Sequence, residues 1–122
     1  MDKWQAIDSF WQIFNIPAYE ESGVPDDAGF PRITYQVSTD SIGNPQFMTA
    51  SIWYANSRWQ EVSKKADEIA QAIATMQKPI ALDSGYLWIV KGNPFAQHMS
   101  DPDDPTIRRV VLNIQAEYLT AY

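Results

Sequence analysis

The longest regular pattern of apolar and polar positions runs from Asn56 to Gln77 and has the period of a helix. Ser57 followed by Gln60 predicts a capping box at its start, and Pro79 restricts the residue before it and so ends the helix. We therefore predict one long helix with one face against a sheet and the other in water. Apolar side chains recur every three or four positions, as an amphipathic helix requires, at Trp59, Val62, Ala66, Ile69, Ala70, Ile73 and Met76.

Alternation that puts apolar residues on one side, typical of half-buried strands, occurs in Phe30–Ser38, in Phe47–Ala55 and from Ile107 to about Thr120. The first two segments predict an antiparallel hairpin with a long connection. Tyr86–Lys91 is apolar on both faces as far as Val90, which indicates a strand that is buried on both sides or covered by a partner. Pro79–Leu82 indicates a further short strand. On the last long strand, one face is predicted to carry Val110, Leu112, Ile114, Ala116 and Tyr118.

A second, shorter helix is predicted from Asp2 to Phe14, with Asp2 and Gln5 as a capping pair. Its apolar stripe comprises Trp4, Ile7, Trp11 and Phe14, and Phe10 falls outside that stripe. Two segments have no period: Pro17–Gly29 is predicted to be an acidic surface loop, and Gly92–Pro105 an irregular loop. An irregular segment of that length within a small domain is usually functional or mobile.

The predicted order is helix, two strands, long helix, and two or three further strands. This order favours an α+β fold, with a mostly antiparallel sheet packed against one long helix and a short N-terminal helix. The 122 residues suffice for one domain, spanning 1–122, and are too few for two.

Composition narrows the functional classes. The formal net charge of −6 opposes ordinary nucleic-acid binding, which needs lysine and arginine to neutralise phosphates. Without cysteine, disulfides and thiolate metal sites are excluded. No apolar run has the length of a signal peptide or a membrane span, so we expect folding in a cytoplasm and no membrane partner.

Few residues suggest chemistry. The lone histidine, His98, lies near Asp101, Asp103 and Asp104, but DPDDP lacks the central glycine and closing glutamate of a calcium loop. There is no glycine-rich phosphate cradle, no Walker lysine and no His-Glu-x-x-His pair. We therefore expect no enzyme activity, no metal and no cofactor.

The aromatic and apolar residues suggest packing or contact. Trp53, Trp59 and Trp88 lie on predicted elements and are expected in the core. Phe95 and Met99 lie in the predicted irregular loop, where apolar side chains either fold back onto the domain or dock on a partner.

Three stretches of the chain together resemble a known family. They are FPRITYQVS, SIWYANSRWQEVSKKADEIAQAI and GYLWIVKGNPFAQHMSDPDDPTIRRVVLNIQAEYL, with DKWQAIDSFWQIFNIPAYEESGVPDD at the N-terminus also fitting. The chain thereby resembles the minor capsid or tail-completion proteins of long-tailed phages and prophages of Gram-positive bacteria, and most of all the tail terminators.

The resemblance implies a structural virion protein, assembled in the host cytoplasm, that forms a hexameric ring at the head-proximal end of the tail tube. The ring stops tube growth and meets the head–tail connector, and DNA passes through it without specific binding. Alternatives are another neck or connector protein of the phage, or an acidic module that binds a host protein or a small ligand.

Two sets of residues follow as hypotheses. Phe95 and Met99 would anchor the Gly92–Pro105 loop on the adjacent subunit, where Arg108 and Arg109 would pair with acids. Acidic side chains in the ring's lumen would repel DNA and keep its binding weak, and Asp40 and Glu117 are candidates for lining it.

Overall fold

The computed structural model describes all 122 residues and contains two α-helices and one six-stranded sheet. The helices are α1 (Lys3–Trp11) and α2 (Trp59–Ala74). The strands are β1 (Ala18–Glu20), β2 (Arg32–Tyr35), β3 (Gln46–Ala55), β4 (Ile80–Leu82), β5 (Gly85–Ser100) and β6 (Ile107–Thr120). In the sheet they follow the order β1-β2-β3-β6-β5-β4, and every pair is antiparallel except β1 with β2.

The core lies between the two helices and one face of this sheet. Its 22 buried residues form a single cluster that joins α1, α2 and the inward positions of the strands. All five residues of β6 that alternation predicts to point inward, from Val110 to Tyr118, are buried. The α+β class and the mostly antiparallel sheet are therefore confirmed, and the curled sheet carries two helices.

Helix α2 is shorter than predicted. It spans 16 residues instead of Asn56–Gln77, and Arg58, not Ser57, is its N-cap. Asn56 has a positive φ of 55°, which turns the chain just before the helix, and the Ser57 hydroxyl is buried without a hydrogen-bond partner. The capping box predicted for Ser57 and Gln60 is therefore wrong. The apolar stripe is confirmed at its centre, where Val62, Ala66, Ile69 and Ile73 are buried.

The predicted irregular loop Gly92–Pro105 is mostly strand, so that prediction is wrong. Strand β5 continues to Ser100 through a bulge between Lys91 and Ala96. Gly92 and Pro94, which normally break a strand, lie within this bulge. The bulge can contain them because its backbone is out of register with β6. A Cβ on Gly92 would lie 2.9 Å from the Asn113 carbonyl oxygen. Only the turn between β5 and β6, residues 101–106, remains irregular.

The N-terminal region departs from prediction in two further places. Phe10 is buried and packs edge-on against Trp11 and Phe14, whereas Trp4 is half exposed. Within the predicted loop Pro17–Gly29, the chain forms the short strand β1, which extends the sheet beside β2. The Asp2–Gln5 capping box is confirmed by both of its hydrogen bonds.

Candidate subunit interface

The sheet face opposite the helices, here called the open face, has no helix packed on it. Side chains alternate along each strand, so residues paired across neighbouring strands point to the same face. Register places Met99 opposite Arg109, Arg109 opposite Trp53, and Trp53 opposite Arg32. These four side chains form one row across β5, β6, β3 and β2, here called the Arg–Trp row.

Cation–π contacts fix this row. The guanidinium carbon of Arg109 lies 4.5 Å from the Trp53 ring centroid, and that of Arg32 lies 5.8 Å from it. Arg32 also covers the ring of Phe30 at 4.4 Å. Arg109 donates a 3.1 Å hydrogen bond from Nε to the Ser51 hydroxyl. The result is two positive charges held on an aromatic surface in a chain whose net charge is −6.

Large apolar side chains also lie on the open face, between polar ones. Tyr86 and Leu119 are cross-strand neighbours, exposed by 51% and 41%, and Phe47 on β3 is exposed by 75%. Met99, in the Arg–Trp row, is exposed by 44%. Exposed apolar side chains grouped on one surface, with polar residues between them, are typical of contact sites for another protein.

One edge of the sheet is also open. Strand β4 pairs only with Gly85–Leu87, so the outer edge of β5 from Trp88 to Ser100 has no strand partner. A shallow cavity of about 270 Å³ lies beside it, lined by residues such as Ile73, Met76 and Val90. Lys91 and the bulge interrupt this edge, as is usual where uncontrolled strand pairing must be prevented.

The sequence-predicted contact residues divide between two faces. Met99 and Arg109 lie together on the open face. Arg108 points to the helix side, where its guanidinium lies 5.5 Å from the Trp59 ring and donates a hydrogen bond to the Pro105 carbonyl. Phe95 is partly buried and packs against the core of its own chain. The four residues therefore do not form one patch.

The two predicted lumen residues lie at the opposite end of the sheet. Asp40, in the β2–β3 connection, accepts hydrogen bonds from the Ser41 N–H at 2.8 Å and from Gln46 at 3.2 Å. Glu117 lies on the open face opposite Trp88. Glu117 and Arg109 are eight positions apart on β6, about 27 Å at the usual rise of a strand.

His98 belongs to neither surface. Its ring stacks on Trp59 with centroids 4.2 Å apart and planes 7° apart, and its Nε2 lies 3.0 Å from the Ser63 hydroxyl. The histidine thus fastens β5 to the first turns of α2. No group of three His, Asp or Glu side chains is placed to hold a metal ion.

The turn between β5 and β6, here called the acidic tip (residues 101–106), is held by its own aspartates. The Asp101 carboxylate accepts from the Asp103 N–H at 2.9 Å, and the Asp104 carboxylate accepts from the Thr106 hydroxyl at 2.6 Å and its N–H at 2.9 Å. The hydrogen bonds from Thr106 lower the pKa of Asp104. The tip is therefore a negatively charged turn with its own internal hydrogen bonds.

The Arg–Trp row could not be predicted from the sequence, although one signal for it exists. The sequence predicts Trp53 in the core, but this residue occupies a polar-face position of its strand and is only partly buried. Trp59 and Trp88 are likewise partly buried. A tryptophan at a polar-face position indicates a surface that contacts another molecule. That Arg32 and Arg109 flank this tryptophan follows only from the strand register.

Comparison with known proteins gives no assignment, since neither a protein-family model nor a curated protein sequence matches this chain. Neither helix has the length and apolar character needed to cross a membrane.

Proposed function

We propose that this chain is a structural subunit of a long-tailed phage that assembles with copies of itself into a ring at the head-proximal end of the tail tube. As a tail terminator, the ring ends tube growth and joins the tail to the head. The phage role and the hexameric number come from the resemblance of the sequence.

Support for self-assembly comes from the open face. Phe47, Tyr86, Met99 and Leu119 keep large apolar surfaces in water on a sheet that no helix covers. Covering apolar surface with another protein is favourable by roughly 25 cal/mol per Å² of area removed from water. A copy of the same chain placed against this face provides that cover, and in a ring every subunit presents one surface to the next.

In the same proposal, Asp40 faces the lumen, whereas Glu117 lies on the open face two positions from Leu119, where a docked copy would cover it. Asp40 and Glu117 lie at the end of the sheet opposite Arg32 and Arg109, whereas the acidic tip lies beside Arg109. A negative lumen repels phosphates and lets DNA slide.

Negative-stain electron microscopy of the purified chain tests ring formation. Closed rings with a central opening are expected. A field of single subunits across a concentration series contradicts the proposal and favours the acidic binding module.

Deleting the gene from its phage tests the place of the ring. Loss of a terminator should give filled heads beside unattached tails of uncontrolled length, because nothing stops tube growth. Unattached tails of normal length would instead assign the chain to the neck or connector.

A further inference from the structure

The two arginines of the Arg–Trp row lack acidic partners in their own chain. The chain forms two ion pairs, and both involve other residues. Arg109 makes one hydrogen bond, from Nε, so both terminal NH₂ groups of its guanidinium are unpartnered. Contacts with Trp53 already hold Arg32 and Arg109 in place, so a carboxylate that binds them meets a preorganised site.

The acidic tip has the complementary property. The carboxylates of Asp101 and Asp104 hold the turn, whereas the Asp103 side chain makes no hydrogen bond and is exposed. No lysine or arginine of the same chain pairs with any of the three aspartates. Each copy therefore presents an acidic turn and a cationic surface, and neither forms an ion pair within its own chain.

We infer that the acidic tip of one copy docks on the Arg–Trp row of the next, with Asp103 paired to Arg109. This inference rests on the proposed ring and names the groups that join its subunits. Arginine binds a carboxylate through two parallel hydrogen bonds, which fixes orientation as well as affinity.

The position of the two surfaces fits a ring. Subunits of a closed ring are related by rotation alone, so contacting residues lie at the same height along the ring axis. Arg109 follows the acidic tip by only three positions, and both lie at the same end of the sheet. The tip and the row are also distinct surfaces, as a head-to-tail contact requires.

A charge exchange between copies tests this pairing by sedimentation velocity. Arg109→Glu and Asp103→Lys should each weaken assembly by about tenfold or more, and the double variant should recover most of that loss. Higher salt should weaken the wild-type contact, because a charge pair at the rim of an interface is screened.

Matched controls reverse one exposed charge elsewhere. Lys78→Glu and Asp67→Lys involve side chains without hydrogen bonds, and both should assemble as the wild type does. Circular dichroism checks that each variant is folded. Asp103→Lys, in an exposed turn, keeps the test valid even if Arg109→Glu disturbs the packing on Trp53.

The outcomes separate this pairing from the ring itself. If the wild type forms rings and both single variants form them too, the pairing of Asp103 with Arg109 is wrong and the proposed ring stands. A double variant that assembles as weakly as the single variants would also overturn the pairing, whereas a wild type that stays monomeric would overturn both the pairing and the ring.

A cationic and aromatic surface also suits single-stranded nucleic acid. Binding of a labelled oligonucleotide that Arg109→Glu abolishes, without loss of assembly, would reassign the row and overturn the inference.

Discussion

At the scale of single residues, two buried tyrosines join the sheet to the segments around it. The Tyr118 hydroxyl donates a 2.7 Å hydrogen bond to the Ser38 carbonyl and so ties β6 to the β2–β3 connection. The Tyr35 hydroxyl donates to the Asp8 carboxylate, and its ring stacks on Trp11. Burial raises the pKa of Tyr118 to about 12, and burial together with Asp8 raises that of Tyr35 still further.

Alkaline pH should therefore destabilise the fold. A tyrosine whose pKa is higher in the folded state contributes stability that is complete below pH 10 and is lost as the pH rises toward 12. The slope of each group approaches about 1.4 kcal/mol per pH unit. Urea unfolding of Tyr118→Phe against wild type should show a flatter decline over this range. Parallel declines would contradict the role given to Tyr118.

Tyr118→Phe should also cost about 0.5–1.5 kcal/mol at neutral pH, because the Ser38 carbonyl loses its donor. Tyr122→Phe is the matched control, since that exposed hydroxyl makes no hydrogen bond. Its free energy of unfolding at neutral pH should equal that of the wild type.

At the scale of elements, the N-cap of α2 is not the most stabilising residue for its position. Arg58 occupies the N-cap with an extended backbone, φ −90° and ψ 153°, and makes no side-chain capping bond. Aspartate fits that conformation, can accept from the first N–H groups of the helix and is favoured by the helix dipole.

Arg58→Asp should therefore raise the free energy of unfolding by about 1 kcal/mol in urea titrations. Lys78→Asp makes the same charge change outside the helix and should stay within about 0.5 kcal/mol of wild type. An equal gain in both variants would show that the effect comes from net charge and not from the cap.

The bulge in β5 depends on a glycine. Gly92→Ala would bring a methyl group against the backbone of Asn113, which cannot move without disturbing β6. We expect a loss of about 1–3 kcal/mol. Gly29→Ala, where no atom lies within 4 Å, is the control and should be nearly neutral. A neutral Gly92→Ala would mean that the bulge is free to rearrange.

How far the sequence predicts the fold depends on the segment. The whole inward face of β6 follows from alternation, because one side of that strand is buried along its length. The second half of β5 could not be predicted, because Gly92 and Pro94 are residues that normally end a strand. Only the pairing with β6 shows that they lie in a bulge. Strand β1 has three residues, too few to show a period.

The candidate interface, too, could be predicted from the sequence only in part. The sequence predicts Met99 and Arg109 as contact residues, yet their adjacency depends on strand register. An irregular loop would place Phe95 beside Met99 on the neighbouring subunit, but in the bulge Phe95 packs against its own core. Replacing Phe95 would therefore test folding together with assembly, whereas exposed residues of the open face test assembly more cleanly.

At the scale of the whole molecule, the two faces of the sheet differ in what covers them. Both helices and all 22 core residues lie on one side, and the other side keeps aromatic, aliphatic and arginine side chains in contact with water. An acidic molecule with such a surface is suited to contacts with its own copies, as the proposed ring requires.

Sedimentation velocity of Tyr86→Thr/Leu119→Thr beside wild type tests this claim most directly. Both side chains lie next to each other on the open face, and threonine keeps the preference for strand. Ile13→Thr, exposed by 59% outside the open face, is the control. We predict rings for wild type and Ile13→Thr and a folded monomer for the double variant. A wild type that is monomeric at every concentration, or a double variant that assembles as well as wild type, would contradict the account.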